Sequence, residues 1–187
     1  MGSKGDAIKQ RIIEKADELF YQRGYEKTSF SDIAKAVNIS RGNFYYHYKT
    51  KDEILDAVIN QRLCNIQRLL KEWEQSEPDC KKLIHRFIDL MTHNKANISQ
   101  YGCPVGTLCL ELSKIQHAMR ENATQIFSLF RNWLVGLFVK LGRSENADQL
   151  AMYLLTHTQG LSTMITTFED DFYVAEIQNL KRWVDEI

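Results

Sequence analysis

The sequence predicts an all-α protein: an N-terminal three-helix helix-turn-helix domain followed by a larger helical domain. Three observations carry the helical part of that prediction. Apolar residues recur at three- and four-residue spacing along most of the chain, and no stretch shows strand-like alternation. Two prolines and nine glycines in 187 residues are too few to turn the chain as often as an all-β fold requires. Residues 40–55, SRGNFYYHYKTKDEIL, pair a short helical pattern with large rings set beside positive charge. Those rings are either core packing or a face turned toward something flat and anionic.

The elements follow in order. Ile8, Ile12, Ala16, Leu19 and Phe20 form the buried stripe of a first helix, which Gly24 ends. Thr28 and Ser29 are both good N-caps for a short second helix, with Asp32 placed to suit the helix dipole. Phe30, Ile33, Ala34 and Val37 are its apolar face. Asn38 is expected in a left-handed conformation at the turn, with Ile39 plugging that turn into the core. Ser40 then caps a third helix from Arg41 to about Tyr48, with Phe44 and Tyr48 facing inward. Two short helices joined by a tight turn and braced by a preceding helix make a helix-turn-helix.

A continuous stripe from Ile54 to Trp73 predicts a long fourth helix that stops near Ser76–Pro78. Further helices are expected over Leu83–Met91, Leu108–Met119, Ile126–Leu141 (ended by Gly142), Ala147–Phe168 and Tyr173–Ile187, with a break at NISQYGCPVG. Glu169, Asp170 and Asp171 read as a solvated acidic cap before the last helix. The expected division is residues 1–51 and 52–187.

Charge separates the same two parts. The chain is neutral overall, yet residues 1–51 hold ten Lys/Arg against six acids, and the remainder carries the balancing negative charge. A basic segment on an acidic body suits a polyanion partner for the first part only. No apolar run approaches membrane-span length, and the N-terminus lacks the apolar core of a signal peptide, so a cytoplasmic location is expected. Four widely spaced cysteines without a C-x-x-C pair are expected as free thiols. Five histidines show no metal spacing, and neither a phosphate loop nor a G-x-S-x-G elbow is present. No metal, cofactor or catalysis is expected.

Gly24, Thr28, Ser29, Ile33 and Ala34, then Ser40, Gly42, Tyr45, His47, Tyr48, Lys51 and Ile54, fit the pattern G-x-x-x-T-T-x-x-x-I-A, turn, S-x-G-x-x-Y-x-H-F/Y-x-x-K-x-x-L. In this the chain resembles the TetR/AcrR family of one-component transcriptional regulators. It departs at Asn38, where the family often has glycine, and at Ser29, where it has a second threonine. The segment YGCPVGTLCLELS is similar to a G-C-x-x-G-x-x-x-x-E-L stretch in one subset of these regulators.

The resemblance implies a third helix that enters the DNA major groove. Arg41 would read guanine and Asn43 a base edge or phosphate, while Gly42 admits close approach. Tyr45, Tyr46, His47 and Lys51 would meet phosphates and sugars, with Thr28 and Ser29 donating from the second helix. It implies a homodimer on a palindromic operator, paired through the last two helices; Leu150, Tyr153, Leu154, His157, Ile177, Leu180 and Trp183 are candidates. It also implies a small-molecule effector, apolar or aromatic, in the C-terminal helices, with Phe87, Met91, Cys103, Leu108, Phe127, Phe130, Trp133 and His157 as candidate lining. Cys103, between Gly102 and Pro104, is a candidate sensor thiol. The rival reading is a helical sensor or adaptor of the same fold that does not bind DNA.

Overall fold

A computed structural model describes residues 4–168 and 171–187, with Lys4 and Arg41 described in their backbone only, and every regular element among them is an α-helix. Glu169 and Asp170 of the expected acidic cap lie outside the described residues. The helices are α1 (Lys4–Arg23), α2 (Phe30–Val37), α3 (Arg41–His47), α4 (Lys51–Ser76), α5 (Cys80–His93), α6 (Lys95–Tyr101), α7 (Pro104–Lys114), α8 (Arg120–Lys140), α9 (Ala147–Met164) and α10 (Asp171–Glu186). None is long and apolar enough to cross a membrane.

Local chemistry sets the ends of α1, α2 and α3. Gly24 takes φ +91°, a conformation that costs a side chain dearly, and its N–H closes on the Phe20 carbonyl. Ser29 and Asp32 form a reciprocal capping box: the Ser29 hydroxyl accepts the Asp32 N–H, and the Asp32 carboxylate accepts the Ser29 N–H at 2.9 Å. Asn38 is left-handed at φ 55°, ψ 51°, and Ser40 caps α3 by accepting the Asn43 N–H. Asn38→Ala should therefore lower stability by about 1 kcal/mol, while Asn38→Gly should not, because only the alanine pays the left-handed penalty. Denaturant midpoints of the two variants check this.

Two compact units emerge. The first comprises Met1–Asn65 with Thr107–Ile126; the second comprises Ile66–Gly106 with Phe127–Ile187. The first unit extends beyond the expected boundary at residue 51. Ile54, Leu55, Val58 and Ile59 at the start of α4, with Leu108, Leu112 and Ala123 from a later segment, share one buried core with Ile12, Phe20, Ile33, Val37 and Phe44. Arg11 reaches from α1 to donate to the Val37 carbonyl at 2.7 Å, satisfying an end of α2 that the turn leaves open.

In the second unit, α5 and α10 are paired by their apolar faces and by polar side-chain contacts. Leu83, Ile84 and Ile88 are buried on one, and Ile177, Leu180 and Val184 on the other. Lys181 meets Asp89 at 2.5 Å and His85 meets Asp185 at 3.0 Å. The expected break at NISQYGCPVG holds a short helix instead, α6, anchored by the buried Ile98 and stopped by Gly102 at φ +80°. Met119 lies beyond the end of α7, because Gln116 turns the chain at φ 50°.

Candidate functional site

Helix α3 is divided between core and solvent by its own sequence. Phe44 is fully buried and meets the Phe30 ring edge-on at 4.7 Å, while Tyr48 is buried at the helix C-cap. On the other side Gly42 and Asn43 are exposed, Tyr45 is 44% exposed and Tyr46 is 79% exposed. Phe30 also stacks on Tyr45 with ring centres 5.1 Å apart, so one half-buried ring fixes both an inward and an outward neighbour. A side chain added at Gly42 would meet nothing within 4 Å, so the fold does not require glycine there. Arg41 opens the helix; its side chain lies outside the described residues.

Other expected contact residues stand differently. Thr28 is 0% exposed, and its hydroxyl donates to the Gly24 carbonyl at 2.7 Å. It therefore stabilises the turn after α1 and does not face outward, a correction to its expected role. Ser29 is exposed, but its hydroxyl is engaged with Asp32. Those hydrogen bonds, from the Ser29 hydroxyl first and its N–H second, hold the Asp32 carboxyl below the usual range. The N-terminus of α2 thus already carries an anionic partner, and the Ser29 and Asp32 N–H groups are engaged within the capping box.

His47 is half-buried, and its Nδ1 is shielded with no hydrogen-bond partner among the described residues. Its ring sits edge-on to Tyr46 at 5.3 Å. Lys51 folds back: its ammonium donates to the Tyr25 carbonyl at 2.9 Å and lies 4.0 Å from that ring's centre. Lys49 donates to the Tyr45 carbonyl and was not singled out from sequence.

The second unit contains a cavity of about 200 Å³ lined by α4, α5, α8, α9 and the segment from α6 into α7. Of the candidate ligand-lining residues, Phe87, Met91, Cys103, Phe127 and Phe130 lie on its wall. Three expected residues do not. Leu108 belongs to the core of the first unit. Trp133 packs on Trp73 at 6.0 Å and donates its indole N–H to Glu74 at 3.0 Å. His157 is exposed on α9 against Tyr153, ring centres 4.0 Å apart. Helical spacing placed all three on plausible faces without saying which neighbour each face meets.

The cavity wall also includes Asn94, Val105, Thr158 and Gln159, which sequence reading missed. Among the described residues, no Asp, Glu, Lys, Arg or His lines it. The Cys103 sulfur accepts the Gly106 N–H and the Gln159 amide, each at 3.4 Å. Thr158 donates to the Leu155 carbonyl at 3.0 Å.

Helix α9 shows an outer face without charge: Met152, Tyr153, Thr156, His157, Gly160 and Met164 are exposed. With Phe172 and Glu176 of α10, several of them border a shallow groove. Of the expected pairing residues, Leu154, Ile177 and Leu180 are buried in their own unit, which corrects their assignment to an interface. Trp183 is half-buried between Tyr153 and Phe138, with ring centres 4.5 and 6.4 Å away.

Comparison with known proteins adds two family matches. Residues 12–58 match the profile of bacterial regulatory proteins of the tetR family, and residues 81–178 match that of the LmrA/YxaF-like transcriptional regulator C-terminal domain. The HTH-type transcriptional repressor DhaR of Mycobacterium sp. (strain GP1) is 26% identical over 82% of this chain and 79% of its own length. An HTH-type transcriptional regulator in the lacX 3′ region of Lactococcus lactis subsp. lactis is 29% identical over 86% of this chain and 89% of its own. In fold, the chain is similar to a TetR transcriptional regulator from Legionella pneumophila, with a TM-score of 0.83 and 23% identity over 100% of this chain and 97% of that one.

Proposed function

Because the chain belongs to the tetR family of bacterial regulatory proteins, we propose that it is a repressor that binds a palindromic operator as a homodimer and leaves it when a small uncharged molecule enters the second unit. The observation that carries the DNA reading is the two-sided α3: Phe44 and Tyr48 anchor it while Gly42, Asn43, Tyr45 and Tyr46 stand in solvent. Such a face suits the major groove, where Asn43 reaches a base edge and the two tyrosine hydroxyls reach phosphates. Gly42 keeps its place for the same reason, since a side chain that the free protein would accept would stand between helix and groove. Lys51 keeps two of its three N–H donors beyond the Tyr25 carbonyl for a phosphate. Any phosphate contact of His47 falls to Nε2, its Nδ1 being shielded. Ser29 reinforces the α2 terminus and contributes to DNA binding through that placement.

The effector reading rests on the cavity's chemistry. A largely apolar wall with no charged side chain among the described residues disfavours ions, whose desolvation nothing there would offset. The amide oxygens of Asn94 and Gln159 are the acceptors that a hydroxyl or N–H on the ligand would meet. For release, the ligand must bind the DNA-incompetent arrangement more tightly than the competent one.

The test is a titration of fluorescent duplex from the gene's own upstream region at two salt concentrations, beside a scrambled duplex. Specific binding that weakens steeply with salt is expected. Equal affinity for both duplexes, with no salt dependence, would remove the DNA reading and leave the adaptor. Tyr46→Ala in the same assay should lower operator affinity about 10–100-fold while moving stability by no more than about 0.5 kcal/mol, since the ring is mostly in solvent.

A further inference from the structure

The turn between α1 and α2 is held from outside the three-helix head. Glu111, on α7, accepts the Tyr25 N–H at 2.8 Å and the Glu26 N–H at 3.0 Å. Its carboxylate occupies the space a side chain at residue 24 would need: a Cβ on Gly24 would come within 2.9 Å of Glu111 Oε1. Tyr25 gathers the remaining ties. Its hydroxyl donates to Asp52, its carbonyl accepts from Lys51, and its ring meets the His117 ring edge-on at 5.1 Å. His117 in turn faces Asp52 at 3.4 Å through Nε2, with Nδ1 accepting the Met119 N–H at 3.0 Å. Four residues after Tyr25 the chain reaches Ser29, the cap that starts α2.

The other end of α7 has a different neighbourhood. Pro104 and Val105, its first two residues, line the cavity of the second unit. Six residues, about 9 Å of helix, separate Val105 from Glu111. A rigid helix whose first turn is displaced carries its later residues with it.

We propose that Glu111 is a positioning residue for the DNA-reading head, and that occupancy of the cavity reaches the operator-binding face by loosening its hold on Tyr25 and Glu26. The inference rests on the operator and effector reading above and names the residue through which the two are coupled. A filled cavity pushes on Val105, the carboxylate withdraws, and the turn that sets the start of α2 is freed. Release of two N–H groups whose acceptor lies on another helix is a local change with a readout at α2 and α3.

Hydrogen exchange at the Tyr25 and Glu26 amides tests this without DNA, in the full-length protein. Glu111→Ala should speed exchange at both amides. Val105→Phe, which fills the cavity from its own wall, should do the same in the wild-type background and add nothing in the Glu111→Ala background. Val105→Leu is the milder substitute if the phenylalanine prevents folding, checked by thermal melting. Operator affinity should follow, falling about tenfold in either single variant and no further in the double. Glu111→Gln, which keeps one carbonyl acceptor, should recover part of both effects. Additive losses in the double variant, or Tyr25 and Glu26 amides indifferent to Val105→Phe in a folded protein, would overturn the proposal. Wild-type protein that binds no duplex would instead sink the operator reading, and the amide exchange would still decide whether α7 controls the turn.

Discussion

Phe44→Ala should cost about 3–5 kcal/mol, the range for deleting a fully buried phenylalanine side chain. That is a large part of the roughly 5–15 kcal/mol that holds a domain together. The loss has two components. One is the cavity left between α3 and the core, where Phe44 lies with Ile33, Val37, Ile54 and Val58. The other is the edge-on contact with Phe30, which also supports Tyr45 from beneath. Circular dichroism against denaturant should show an early transition for the first unit, and operator binding should vanish with it. Tyr46→Ala is the internal control, two positions along the same helix on the opposite side. If Phe44→Ala unfolds at the wild-type midpoint, the two-sided account of α3 is wrong.

Met164→Glu should convert the protein to a monomer. Met164 is exposed at one end of the uncharged face of α9, beside Gly160, where an added side chain would meet nothing within 4 Å. A face of this composition is expensive to leave in water along a whole helix, and it suits close packing against a second copy. A carboxylate placed there would be buried without a partner in the dimer and freely hydrated in the monomer. Sedimentation should report half the mass. Affinity for a palindromic duplex should fall about 10²–10⁴-fold, the avidity lost when two reading heads no longer share one molecule, while the weak binding to a half-site stays. A Met164→Glu variant that remains dimeric would move the interface elsewhere.

The parts of the fold legible in the sequence are those decided within a few residues. Gly24 and Gly142 end helices through positive φ, Asn38 takes the left-handed turn, and Ser29 and Ser40 cap with their own hydroxyls. Each depends on chemistry that a neighbour three or four residues away completes. Where two adjacent residues could play one role, the sequence was silent on the choice: Thr28 and Ser29 are both caps by type, and only packing turned the first inward. Helix α6 was hidden because one apolar residue, Ile98, carries its burial, too little to make a periodic pattern.

The cavity was half legible for a related reason. Helical spacing marked Phe87, Met91, Phe127 and Phe130 as apolar-face residues, and they line it. The same spacing marked Leu108 and Trp133, which turn to other neighbours, because periodicity identifies a buried face but not the partner that covers it. Gln159 and Asn94 escaped attention because polar residues in a wall are recognised only once the wall exists. Tyr25 escaped for the opposite reason. The four ties that matter to the turn come from residues 26 to 92 positions away, so no local pattern announces them.

The lack of a charged side chain among the described residues of the cavity wall has an environmental consequence. Contacts with phosphates weaken as counterions accumulate, whereas the seating of a neutral molecule in an apolar hollow scarcely senses them. In the proposed regulator the two binding events therefore respond differently to ionic strength. A cell that concentrates its salts lowers the grip on the operator and leaves the grip on the effector in place, so less effector suffices to clear the promoter. The dose needed for induction is then set jointly by metabolism and by osmotic state, with no residue dedicated to sensing the second.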